Sequence, residues 1–110
     1  MRMLAHPARR DIELTSVFHA LSDPVRLGIV VDLLDGAEHS TGRLAGPMNK
    51  SSLSHHLKIL REAGVTFTRL EGTHRLLSLR REDLEARFPG LLPAITASAD
   101  EAGPARLRAA

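Results

Sequence analysis

Asn49-Lys50-Ser51-Ser52-Leu53-Ser54-His55-His56-Leu57-Lys58-Ile59-Leu60-Arg61-Glu62-Ala63-Gly64 decides the fold. Asn49 is a good helix N-cap and Gly64 suits the position just past a helix end, so the spacing predicts a helix from Lys50 to about Ala63. Leu53, His56, Leu57 and Leu60 recur at i, i+3, i+4 and i+7 and share one face. Ser51, Ser54, His55 and Lys58 follow the same rule on the other side. That second face carries hydroxyls, an imidazole and an ammonium but no carboxylate, and Glu62 enters only at the far end. Such a face can enter a major groove without repulsion and donate to base edges and phosphates. Lys50 and Ser52, in the first turn, complete the candidate DNA contacts of this helix.

Working outward, Ser40 or Thr41 can cap a short helix holding Leu44 and Ala45, and Gly46-Pro47-Met48-Asn49 makes the turn before the decisive helix. Downstream, Val65 to Leu70 is rich in β-formers, Glu71-Gly72-Thr73 is a turn, and His74 to Leu79 is a second extended run. Helix, turn, helix and hairpin in this order make a helix-turn-helix followed by a wing. Arg69, His74 and Arg75 fall near the hairpin tip, where cations can grip phosphate or the minor groove.

At the ends, Asp11 to Leu21 reads as a helix whose N-terminal dipole is favoured by Asp11 and Glu13. Asp23 can cap the next helix, Pro24 suits its first position, and the run ends near Gly36. Glu82 to Phe88 is a short helix, Pro89-Gly90 interrupts it, and Leu91, Leu92 and Ile95 suggest one more apolar helical stretch. The expected organisation is a disordered arm over 1–10, one winged helix-turn-helix domain with terminal dimerisation helices over 11–98, and a disordered tail over 99–110. The fold class is mainly α with a β-hairpin wing.

Composition narrows the function. The 110 residues suffice for one domain, and with 43% apolar but 3% aromatic residues the core must be aliphatic, which suits packed helices. Net charge is +2, yet His39 to Arg81 holds eight Lys/Arg against Glu62 and Glu71, a basic surface suited to a polyanion. There is no cysteine, which removes disulfides, thiolate metal sites and thiol switches. No run of about 18 apolar residues and no secretory pattern occurs, so no membrane contact is expected and a cytoplasmic place is.

No enzyme is expected: Ser40 beside His39 does not make a triad, and Gly36, Gly42 and Gly46 lack phosphate-loop spacing. No cofactor or metal is expected either. His55 and His56 point about 100° apart on a helix, and His6, His19 and His39 could meet only through folding or across a dimer. His56, on the apolar face, is expected to be a hydrogen-bonded structural residue.

Leu21-Ser22-Asp23-Pro24-Val25-Arg26-Leu27, the run from Ser51 to Gly64, and Glu71-Gly72 together resemble the ArsR/SmtB family of transcriptional repressors. The resemblance covers roughly Ile12 to Leu92 and implies homodimers packed through first and last helices, a palindromic operator, and repression relieved by an effector whose identity stays open. The chain departs from the family pattern at Leu76 and Leu77, where the wing usually carries tyrosines, and at Phe67, which is expected to be buried. Glu38 to Leu44 contains no thiol and no His follows His74, so the family's usual metal sites are missing. Apolar residues on the first helix (Ile12, Val17, Phe18) and the last (Leu91, Leu92, Ile95) exceed what one small core should need and are expected to meet across a two-fold axis. The other class left open is a winged-helix protein-interaction module without specific DNA binding, against which the acid-free helix face speaks.

Overall fold

In a computed structural model that describes residues 4–102, the chain enters through a 3-10 turn, Arg9–Asp11, and forms α1 over Leu14–Leu21. The first helix therefore starts three residues later than its periodicity suggests. Asp11 sits in the turn, and Glu13 holds the N-cap position without a capping side-chain bond. The reason is Ile12, which is extended and only 1% exposed because its side chain is drawn into the core against Gly64.

Asp23 opens α2 (Pro24–Asp32) as expected: its carboxylate accepts from the N–H groups of Val25 at 2.9 Å and Arg26 at 3.2 Å. A 3-10 turn, Leu33–Asp35, and a two-residue strand β1 (His39–Ser40) lead to α3 (Thr41–Ala45), capped by the Ser40 hydroxyl. Asn49 caps α4 (Lys50–Glu62) by accepting from the Ser52 N–H at 2.8 Å. Gly64, with φ of +84°, reverses the chain beneath Ile12.

The hairpin follows as β2 (Thr66–Glu71) and β3 (His74–Leu79), turning at Gly72 with φ of +60°. The sheet is antiparallel with order β1-β3-β2, Thr68 and His39 both standing opposite Leu77. β1 adds a third strand to the expected hairpin, and two residues are too few to show a period. α5 (Arg81–Arg87) and α6 (Leu91–Ala102) complete the chain.

One core joins the layers: Val17 of α1, Ile29 and Val30 of α2, Leu53, Leu57 and Leu60 of α4, Leu77 of β3, Leu84 of α5 and Leu92 of α6. The core is aliphatic, as the composition required.

Two terminal expectations are corrected. Residues 4–10 are not a free arm. The Thr68 N–H donates to His6 Nε2 at 3.0 Å, Arg80 donates to the Pro7 carbonyl at 2.7 Å, and Arg9 pairs with Asp83 at 2.6 Å. Thr68 lies on the outer strand of the sheet, so His6 satisfies a backbone donor that the ladder leaves open. At the other end α6 continues through Ala102, and the remaining tail, 103–110, lies outside the described residues, as do residues 1–3. No helix among the described residues is long and apolar enough to cross a membrane.

Candidate nucleic-acid interface

The Asn49 cap and the leucine stripe set the roll of α4. Leu53, Leu57 and Leu60 are buried, which leaves Lys50, Ser51, Ser52, Ser54, His55 and Lys58 exposed, with Glu62 exposed one turn beyond them. Every α4 residue singled out as a DNA contact thus lies on open surface. α3 precedes it with Leu44 buried beneath and Arg43 exposed.

His56 stands at the edge of the two faces, partly buried, and accepts or shares a hydrogen bond with Arg26 Nη1 at 3.2 Å from its Nδ1. Burial pushes its pKa below the ordinary histidine value, an effect partly opposed by Asp23, whose carboxylate is 3.9 Å away. The expected structural histidine is therefore present, with Arg26 as its partner. Arg26 itself was not foreseen. It is 6% exposed, donates from Nε to the Ala20 carbonyl at 2.7 Å and from Nη2 to the His19 carbonyl at 3.2 Å. An arginine three residues after a capping Asp reads on the sequence as ordinary helix surface, and only its burial marks it out.

The wing divides its predicted contacts. His74 and Arg75 are exposed beside the turn. Arg69 is exposed too but occupied: it is bidentate to Glu38, at 2.9 Å in each bond, and reaches Glu71 at 3.1 Å. The Arg69 hydrogen bonds hold the Glu38 carboxyl below its ordinary range and raise the guanidinium further above its own. Arg69 is thus not a free cation, because the β1–β3–β2 order folds Glu38 back over the sheet.

Phe67 is a correction: it is 43% exposed, stacked against His6 with ring centroids 4.5 Å apart. Strand alternation puts it opposite in face to the buried Thr66 and Thr68.

Among the residues expected at a dimer interface, Ile12, Val17, Leu92 and Ile95 are buried in the chain's own core and Leu91 partly so, because the 3-10 turn and α6 fold onto the same layer. Phe18 remains at 55% exposure, and Leu14, one turn earlier on α1, at 41%. His6, His19 and His39 do not converge. His6 lies on β2, His39 pairs with Asp35 at 2.9 Å, and among the described residues no three His, Cys, Asp or Glu side chains gather as a metal site.

Comparison with known proteins agrees with this geometry. A family profile described as a helix-turn-helix domain matches residues 21–66. The chain is 40% identical over 79 residues to the HTH-type transcriptional regulator YceK of Bacillus subtilis, covering 69% of this chain and 79% of that protein. It is 39% identical over 74 residues to the transcriptional repressor SdpR of the same organism, covering 66% and 81%. Among solved structures, the ArsR-like transcriptional regulator from Rhodococcus sp. RHA1 superimposes with a TM-score of 0.58 at 30% identity, over 80% of this chain and 83% of that one. The homodimeric winged helix-turn-helix DNA-binding domain Mb0332 from Mycobacterium bovis gives a TM-score of 0.59 at 27% identity, over 90% and 94%.

Proposed function

This chain belongs to the ArsR family of winged helix-turn-helix transcriptional regulators, and from that premise we propose that it is a repressor which binds a palindromic operator as a homodimer. The observation that carries the reading is the exposed face of α4: Ser51, Ser54, His55 and Lys58 stand together with no carboxylate among them. In a major groove they donate to base edges while Lys50 and Ser52, at the helix N-terminus, meet phosphate. Arg75 and His74 at the wing tip add backbone grip, and Arg69 joins them when it leaves Glu38.

Repression is supported by the similarity to SdpR, a transcriptional repressor. Dimerisation is supported by the homodimeric Mb0332 domain and by the exposed apolar pair Leu14 and Phe18 on α1, which a second copy would cover. Of the residues first expected there, Phe18 keeps the contact role, with Leu91 at the margin, while Ile12, Val17, Leu92 and Ile95 support the interface from beneath. Two-fold symmetry would present two α4 helices to successive major grooves about 34 Å apart. Such a regulator works in the cytoplasm, where the DNA is.

The test is a gel shift on the chain's own promoter DNA across a salt series, with sedimentation of the free protein. A sequence-specific shift that weakens steeply with salt, from a dimer at micromolar concentration, is expected. A dimer that ignores DNA would instead support a protein-interaction module.

A further inference from the structure

We propose that Arg26 is a positioning residue for DNA binding: buried between α1 and α4, it holds α4, through His56, in the orientation that presents the groove-facing side chains. The proposal rests on α4 being the helix that reads DNA.

The guanidinium is anchored on one side and directional on the other. Its Nε donates to the otherwise open carbonyl of Ala20 and its Nη2 joins Ser22 on the carbonyl of His19, in the last turn of α1, where the negative end of the helix dipole favours a cation. It cannot swing away without leaving the buried Ala20 carbonyl unpaired, whereas the His19 carbonyl keeps the N–H and hydroxyl of Ser22. Its Nη1 is thereby fixed 3.2 Å from His56 Nδ1. An arginine only donates, so Nδ1 must accept, which places the imidazole proton on Nε2 and keeps the ring neutral.

Packing alone leaves this alignment loose. Leu53, Leu57 and Leu60 hold α4 against the core, but apolar contact has no direction and tolerates small rolls about the helix axis. A hydrogen bond from a fixed donor weakens steeply with angle, and so opposes such a roll. The groove-facing residue His55 is adjacent in sequence, its ring 5.8 Å from that of His56, so a shift of one moves the other.

The charged groups acting on His56 are Asp23 and Arg26, both at the start of α2, and His55 on α4 itself; α1 contributes the two carbonyls already bound to Arg26. Protonation of His56 puts a second donor against Arg26, breaks the bond, and favours Asp23, 3.9 Å away, as the new partner. Acid therefore exchanges the partner that aligns α4.

The experiment compares wild type, His56→Gln and His56→Leu for promoter affinity at about pH 7.5 and about pH 5.5, with melting curves for each. Glutamine offers an acceptor that does not titrate, and leucine offers none. His55 is common to all three, so its own contribution cancels. The Gln variant should bind within about twofold of wild type at the higher pH. A folded Leu variant should bind about tenfold more weakly, as expected for loss of one charge-assisted bond. At the lower pH, wild type should lose more affinity than the Gln variant, with the gap widening as the pH falls. A folded Leu variant that binds like wild type, or matching pH profiles for wild type and the Gln variant, overturns the proposal.

Imidazole nitrogen NMR of the free protein reads the pairing without DNA. A neutral ring protonated on Nε2 supports it, and a ring protonated on Nδ1 at neutral pH overturns it. If the NMR pairing is present but wild type never shifts promoter DNA, the DNA-binding reading has failed, and the positioning role falls with it.

Discussion

Arg26 and Arg69 each make three hydrogen bonds, one in the helical layer and one on the wing, and they do opposite things. Arg26 has no bonded carboxylate in its three-way grip: it holds two carbonyls and an imidazole, at 6% exposure. Arg69 has two carboxylates, Glu38 and Glu71, yet half of its side chain meets water. By charge count Arg69 is the better paired. Solvent reverses the ranking, because water screens an exposed ion pair and replaces its hydrogen bonds when it breaks, whereas buried partners left behind have no substitute. The helical layer is therefore held by a cation whose buried partners have no substitute for it, and the wing carries one whose ion pairs water can replace.

The largest effect should come from Arg26→Met, which keeps the apolar stem but orphans the Ala20 carbonyl and the His56 ring and takes one of three donors from the His19 carbonyl. A loss of about 3 kcal/mol in denaturant unfolding is expected. A variant that unfolds at the wild-type midpoint would erase the contrast with the wing.

Gly64→Ala should follow. A Cβ there would lie 2.5 Å from Ile12 Cγ1 on a backbone at φ of +84°, so about 1–3 kcal/mol should be lost in the same measurement.

The two adjacent histidines should split cleanly. His56→Ala should cost about 1–3 kcal/mol of stability, through the orphaned Arg26 donor and lost packing. His55→Ala should leave stability within about 0.5 kcal/mol and weaken specific DNA binding by about 1–3 kcal/mol if the ring meets a base edge. A His55 variant with full affinity and a His56 variant with full stability would together show that α4 is rolled differently.

Acid should loosen the same buried contacts. Burial holds both His6 and His56 below the ordinary value of 6.5, with Arg80 and Arg61 adding to the effect at His6. The unfolded chain then binds more protons than the folded one. Stability is fully present above about pH 6.5 and declines as pH falls through the lowered values. Melting temperatures between about pH 7.5 and about pH 5 check this, and a flat profile would count against both buried imidazoles.

The smallest change belongs to the wing. Arg69→Ala should leave the melting temperature unmoved, because its pairs are solvated. In DNA titrations against salt, Arg75→Ala should lower the slope by about one, as expected for a lost phosphate contact, and Arg69→Ala by less, since Arg69 must first give up Glu38. An equal fall for both would mean that the carboxylates offer no resistance.

Legibility followed the range of the interactions. The caps at Asp23, Ser40 and Asn49, and the hairpin turn at Gly72, each act within four residues, so the sequence shows them directly. Phe67 was missed because its burial depends on which side of the sheet the layers cover, and Ile12 because an extended residue before a helix carries no period. The docked arm was missed because Pro7 and its charged neighbours look solvated until Thr68, Arg80 and Asp83 arrive from more than sixty residues away.

The sequence by itself determined the helix-turn-helix, the wing and the acid-free face of α4, because residue spacing alone sets which side chains share a helix face. Only the tertiary structure decided which cations are available to DNA. Arg26, Arg69 and Arg75 are chemically identical on the chain, and what separates them is how much water and which acceptors the fold leaves around each guanidinium.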